Sequence, residues 1–123
     1  MATGRMRRVD EAVRQVIGDA VASELKDPRV GFVTVTDVRT SPDLRHARVY
    51  VSVLGAGGGR VGGASSTERE DTLAGLRSAH GYLQGRVASE LRLKRTPALE
   101  FVYDDTTDRA MRLEELIDRE AER

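Results

Sequence analysis

The sequence predicts a single α+β domain in which a three-stranded sheet packs on helices. Three observations carry that expectation. The length, 123 residues, suits one domain. Apolar residues recur with a helical period in some segments and with period two in others. Two strand-like segments are joined by a short turn, which makes an antiparallel hairpin and segregates strands from helices. The predicted order is α-β-β-α-kink-α-β, plus a C-terminal helix.

Residues 7–26 read as an amphipathic helix, with Val9, Ala12, Val13, Val16, Ile17, Ala20, Val21 and Leu25 at 3.6-residue spacing. Asp10 and Glu11 near its start and Lys26 at its end suit the helix dipole, and Pro28 stops it. Residues 30–40 read as a strand, rich in valine and threonine. Ser41-Pro42-Asp43 signals a turn. Residues 45–54 alternate, with Ala47, Val49, Val51 and Val53 on one face.

Residues 55–66 (GAGGGRVGGASS) form a glycine-rich loop. Thr67 and Glu70 form a capping box that opens the next helix. Leu73, Leu76, Leu83, Val87 and Leu91 make an apolar stripe, interrupted at Ser78-Ala79-His80-Gly81. Glycine there permits a kink, so two helices are expected, over 68–79 and 82–94. Pro97 ends the run. Residues 98–103 alternate as a third strand, which the fold class expects in an antiparallel sheet. Thr106-Thr107-Asp108 caps a last helix over 108–121.

The composition excludes several functions. There is no cysteine, which removes disulfides and thiolate metal sites and points to a reducing cytosol. The only histidines, His46 and His80, are too far apart in sequence to suggest a zinc site, and no metal or other cofactor is expected. The longest unbroken apolar run is three residues, too short to span a membrane. The basic start, Met1 to Arg8, is followed by no apolar stretch, so no secretory signal is expected.

Catalytic motifs fare no better. Gly57, Gly59 and Gly62 match a dinucleotide fingerprint literally, but that motif works inside a parallel βαβ unit, and here the preceding strand belongs to a hairpin. Gly59-Arg60-Val61-Gly62 matches a loop that clamps nucleic-acid backbone, but that loop must join two helices. Nothing in the spacing assembles a serine, a histidine and a carboxylate. Asp104-Asp105 is explained by turn chemistry. The chain is therefore expected not to be an enzyme.

Charge is more informative. Twenty basic residues balance 20 acidic ones, but residues 100–123 hold nine acids against four arginines, so residues 1–99 carry a net +5. Arg5, Arg7 and Arg8 form one basic cluster. Arg86, Arg92, Lys94 and Arg95 form another, on the helix after the kink and its exit, with positions 92 and 95 on one face. Such clusters neutralise phosphates. Aromatics are few, which favours recognition of backbone and shape in folded RNA over base stacking. A protein-interaction module with an acidic last helix, and a small enzyme using the glycine loop, stand as rivals.

Residues 24–30 (Glu-Leu-Lys-Asp-Pro-Arg-Val), 33–38 (Val-Thr-Val-Thr-Asp-Val), 41–47 (Ser-Pro-Asp-Leu-Arg-His-Ala) and 49–53 (Val-Tyr-Val-Ser-Val) resemble the bacterial ribosome-binding factor A family. The resemblance continues through Ala79-His80-Gly81, residues 91–97 (Leu-Arg-Leu-Lys-Arg-Thr-Pro) and Leu99-Glu100-Phe101. The glycine-rich loop is not part of it. The resemblance implies a type II KH-like fold whose Ala-x-Gly kink, Ala79 to Gly81, replaces the clamp loop. It implies a non-catalytic cytoplasmic factor that binds the immature 30S subunit and assists late maturation and 5′-end processing of 16S rRNA, including adaptation to cold. The partners would be the 30S subunit, 16S rRNA and assembly GTPases, with the protein a monomer away from membranes. The expected RNA contacts are Ser78, His80, Arg86, Arg92, Lys94 and Arg95, and more weakly Arg5, Arg7 and Arg8.

Overall fold

The computed structural model describes residues 4–54 and 66–105. The glycine-rich loop up to residue 65 and the helix expected over 108–121 lie outside the described residues. The elements run α1 (Gly4–Ser23), β1 (Phe32–Thr40), β2 (His46–Leu54), α2 (Ser66–Ser78), α3 (His80–Glu90) and β3 (Ala98–Tyr103). No helix among the described residues is long and apolar enough to cross a membrane.

The sheet has the order β1-β2-β3. The hairpin is antiparallel, as expected. The third strand is not: β3 runs parallel to β2, pairing His46 with Ala98 and Val51 with Tyr103. The fold class stands, but the sheet is mixed. The reason lies in the connection, because β2 returns to β3 through two helices, and a crossover of that length permits parallel pairing.

β1 contains a bulge between Val35 and Asp37, at Thr36. It explains an irregular sequence pattern. Val35 and Val38 are both buried although three residues apart; the extra residue resets the face, so Asp37 turns away and Val38 turns in. Thr36 Oγ1 donates to Asp104 Oδ2 at 2.6 Å.

One sheet face carries Val35, Val38, Ala47, Val49, Val51, Leu99 and Phe101 into the core. They meet Val13, Ile17, Ala20 and Val21 of α1, Leu73 and Leu76 of α2, and Leu83 and Val87 of α3. α1 lies over β1 and touches α3, while α2 lies over β3. The helical stripe read from sequence is thus the core stripe.

Helix ends differ from expectation. α1 begins by Gly4 and stops at Ser23, so Asp10 and Glu11 fall in its second turn and Lys26 beyond its end. Ser66 is already helical, which places Thr67 inside α2 instead of capping it. α3 ends at Glu90, where Leu91 leaves helical angles. Arg92, Lys94 and Arg95 therefore lie on the exit segment, and positions 92 and 95 share no helical face. The break at Ala79 is narrow, since its N–H still reaches Gly75 O at 3.1 Å and its carbonyl accepts from Leu83 N at 3.0 Å.

Candidate nucleic-acid interface

The parallel register decides where the charged residues meet. It sets the start of β2 beside the start of β3, so Ala98 N donates to Arg45 O at 2.9 Å. The β1–β2 turn thereby lies against the exit of α3. The first turns of α1 join them, because Asp10 Oδ1 accepts from Thr40 N at 2.9 Å. Between these three segments opens a groove of about 810 Å³.

Arg5, Arg45, Arg92, Lys94 and Arg95 line this groove. Arg5, Arg92, Lys94 and Arg95 are exposed. Arg5 is positioned by α1, where it shares a face with Val9. Cations in a first helical turn oppose the helix dipole, and α1 has no acid in its first turn; local helix stability does not account for Arg5. Met6, Val9, Leu44 and Leu93 supply an apolar floor. Asp43 is the one carboxylate in the lining, 3.7 Å from Arg45 Nε.

The turn is rigidly hydrogen-bonded. Leu44 N donates to Ser41 O at 2.9 Å, and Ser41 N to His46 O at 2.8 Å. Asp43 Oδ1 accepts from Ser41 Oγ at 2.6 Å and from Arg45 N at 3.1 Å. The Ser41 hydroxyl and the Arg45 amide hold the Asp43 carboxyl below its ordinary pKa. Leu44 adopts φ 60°, a left-handed conformation that costs an L-residue ~1–2 kcal/mol.

The remaining expected contacts lie elsewhere. Arg7 lines a separate cleft with Asp10, Glu11 and Asp37, and Arg8 Nε donates to Gly4 O at 3.4 Å. Arg86 is neutralised: its Nε lies 3.1 Å from Glu24 Oε1 and its Nη1 3.1 Å from Glu90 Oε1. Tyr82 Oη also donates to Glu24, and that bond raises the phenol's pKa. This network ties α3 to the end of α1, a structural task. Ser78 Oγ accepts from Arg29 Nη2 at 3.1 Å. His80 lines a small cleft with Arg77 and Glu100. Ala79 is half-buried and Gly81 exposed, with nothing within 4 Å of where a Gly81 Cβ would stand.

The basic surface read from the sequence is thus divided. The kink residues sit at the start of α3 and the groove cations beyond its end, ~16 Å apart along an 11-residue helix. Arg45 was missed as a site residue, since it lies some 50 positions from the second cluster. Its signal was the turn motif at 41–47, which carried the resemblance.

A mixed three-stranded sheet with a kinked α2–α3 pair on one face is consistent with the KH-like class of α+β domains. Residues 5–117 match the family model for ribosome-binding factor A, and the chain belongs to that family. It is 42% identical over 117 residues to ribosome-binding factor A of Halorhodospira halophila, covering 95% of this chain and 86% of the relative. The crystal structure of ribosome-binding factor A from Thermus thermophilus superposes with a TM-score of 0.65 at 26% identity, over 80% of this chain and 94% of that one. Coordinates of the T. thermophilus factor fitted into a cryo-EM map of a complex with the 30S subunit match with a TM-score of 0.59 at 26% identity, over 77% and 90% of the two chains.

Proposed function

We propose that this protein is a non-catalytic assembly factor that binds the immature 30S subunit through 16S rRNA and assists late maturation, including 5′-end processing and growth in the cold. The observation that carries the reading is the groove. Four exposed cations converge there from the start of α1 and the exit of α3, and Arg5, Arg92, Lys94 and Arg95 have no ion pair with a described residue. Unpaired, converging cations suit phosphate, and Arg in particular binds it in a planar fork. The fitted 30S complex of the T. thermophilus relative supports the choice of partner.

The factor acts by differential affinity: only tighter binding to the immature subunit than to the mature one shifts a maturation equilibrium. The test is co-sedimentation of purified protein with ribosomal particles at two salt concentrations. Wild type should enrich on small subunits and be released by salt. The triple variant Arg92→Ala, Lys94→Ala, Arg95→Ala should bind weakly, with a shallower salt dependence. Equal sedimentation of wild type and triple variant would refute the groove as the contact surface.

A further inference from the structure

The groove holds two features that phosphate binding leaves unused. Its floor is apolar, formed by Met6, Val9, Leu44 and Leu93. Its lining also contains a carboxylate, Asp43, which would repel a phosphate. Only one oxygen of that carboxylate is engaged: Oδ1 takes the bonds from Ser41 Oγ and Arg45 N. Oδ2 has only Arg45 Nε at 3.7 Å, beyond hydrogen-bond length, so among the described residues it retains its capacity to accept. Leu44, whose backbone is left-handed, lines the groove beside Asp43.

We infer that this groove seats an unpaired nucleotide of the bound RNA, its phosphates on the cations, its base on the apolar floor, and its exocyclic amino group on Asp43 Oδ2. The inference rests on the RNA-binding reading above and goes beyond it in naming the ligand as single-stranded and amino-bearing. A duplex keeps its bases stacked and offers mainly phosphates and 2′-hydroxyls to a protein; against it the floor would stay empty and Asp43 would only repel. An unstacked base supplies a flat apolar face, and arginine guanidinium planes in the lining can stack on it where aromatics are scarce. A carboxylate accepts from the cytosine amino group. The volume, about 810 Å³, lies within the ~300–1,000 Å³ of small-ligand sites.

Cytosine and uracil isolate the carboxylate's part, because they differ chiefly at position 4, an amino donor in one and a carbonyl acceptor in the other. Fluorescence anisotropy with 12-nucleotide oligo(C), oligo(U) and a 12-base-pair RNA duplex is the experiment. Wild type should bind oligo(C) about tenfold more tightly than oligo(U), the worth of one hydrogen bond to a charged group, and the duplex more weakly than oligo(C). Asp43→Asn keeps an acceptor for Ser41 and Arg45, so the turn persists, but offers an amide donor in place of Oδ2; its preference for oligo(C) should vanish or reverse while total single-strand binding remains. Equal wild-type affinity for oligo(C) and oligo(U), or preference for duplex, overturns the inference and leaves the ribosomal reading intact. Binding to subunits without binding to either oligonucleotide overturns it as well. Failure to bind subunits and every RNA refutes the ribosomal reading itself. The wild-type comparison decides the matter even if Asp43→Asn proves unstable.

Discussion

Single residues show how little of a contact map can be read from local sequence. Gly81, in the kink motif, attracts attention, yet nothing lies near its absent Cβ. Gly75 is inconspicuous, yet a Cβ there would stand 2.6 Å from Val30 Cγ2. Gly75→Ala should therefore destabilise the fold by about 1–2 kcal/mol in urea titration, overpacking outweighing the helix propensity gained. Gly81→Ala should stabilise the isolated protein by up to ~1 kcal/mol, and equal effects of the two substitutions would contradict the packing described. The segment against Gly75 is itself pinned, since Arg29 hydrogen bonds, from its side chain and then its backbone N–H, draw the Asp27 pKa down to about 2. Its folded pKa thus lies below the unfolded value near ~3.9. The stability this supplies is full above that value and is lost as pH falls through about 2. Asp27→Asn should flatten the acid limb of a stability–pH profile between those values; an unchanged limb would show that the pair contributes nothing.

At the scale of elements, periodicity locates every described helix and the strands β2 and β3, because core-facing residues must recur with the period of the element, while β1 is legible from its β-branched content. Its failures have specific causes. The Thr36 bulge breaks the period inside β1 and rephases its face. Deleting Thr36 would leave Val35, Asp37 and Val38 opposite Val51, Tyr50 and Val49 with no extra residue between them, so both halves of β1 keep their sheet faces. The expected outcome is a cooperative unfolding transition in circular dichroism that survives the deletion, at some cost from the lost Thr36–Asp104 hydrogen bond; loss of the transition would show that the register depends on the bulge. The direction of β3 was misread because alternation has no polarity; it reports faces and not neighbours. The expected end of α3, at residue 94, lies four residues late because Pro97 is taken as the stop of the helix, while the chain leaves helical angles already at Leu91. In the structure Leu93 packs on the core from the exit segment, and Pro97 is buried just before β3.

For the whole molecule, the groove is the feature that three separate segments build together. Its cations and the Arg86 network look alike in the sequence and should behave differently. Arg86→Ala removes two ion pairs and should lower thermal stability modestly, since partly exposed pairs contribute roughly 0–1 kcal/mol each. It should leave the salt dependence of subunit binding unchanged. The triple groove variant should do the reverse, with intact stability and a log–log salt slope reduced by up to ~2–3 units, each lost phosphate contact removing ~0.7–0.9. If Arg86→Ala flattened the slope instead, the division of the basic surface would be wrong.

By itself the sequence determined the α+β class, the number and order of the described elements and the core stripe. These depend on local periodicity and on which side chains exist, and both are written along the chain. It also carried the resemblance on which the family assignment rests. Only the tertiary structure decided that β3 is parallel, that Arg86 is spent on Glu24, and that Arg5 and Arg45 join Arg92, Lys94 and Arg95. Those outcomes depend on pairing between segments some 40–90 positions apart, where packing and strand register, and not local spacing, select the neighbours.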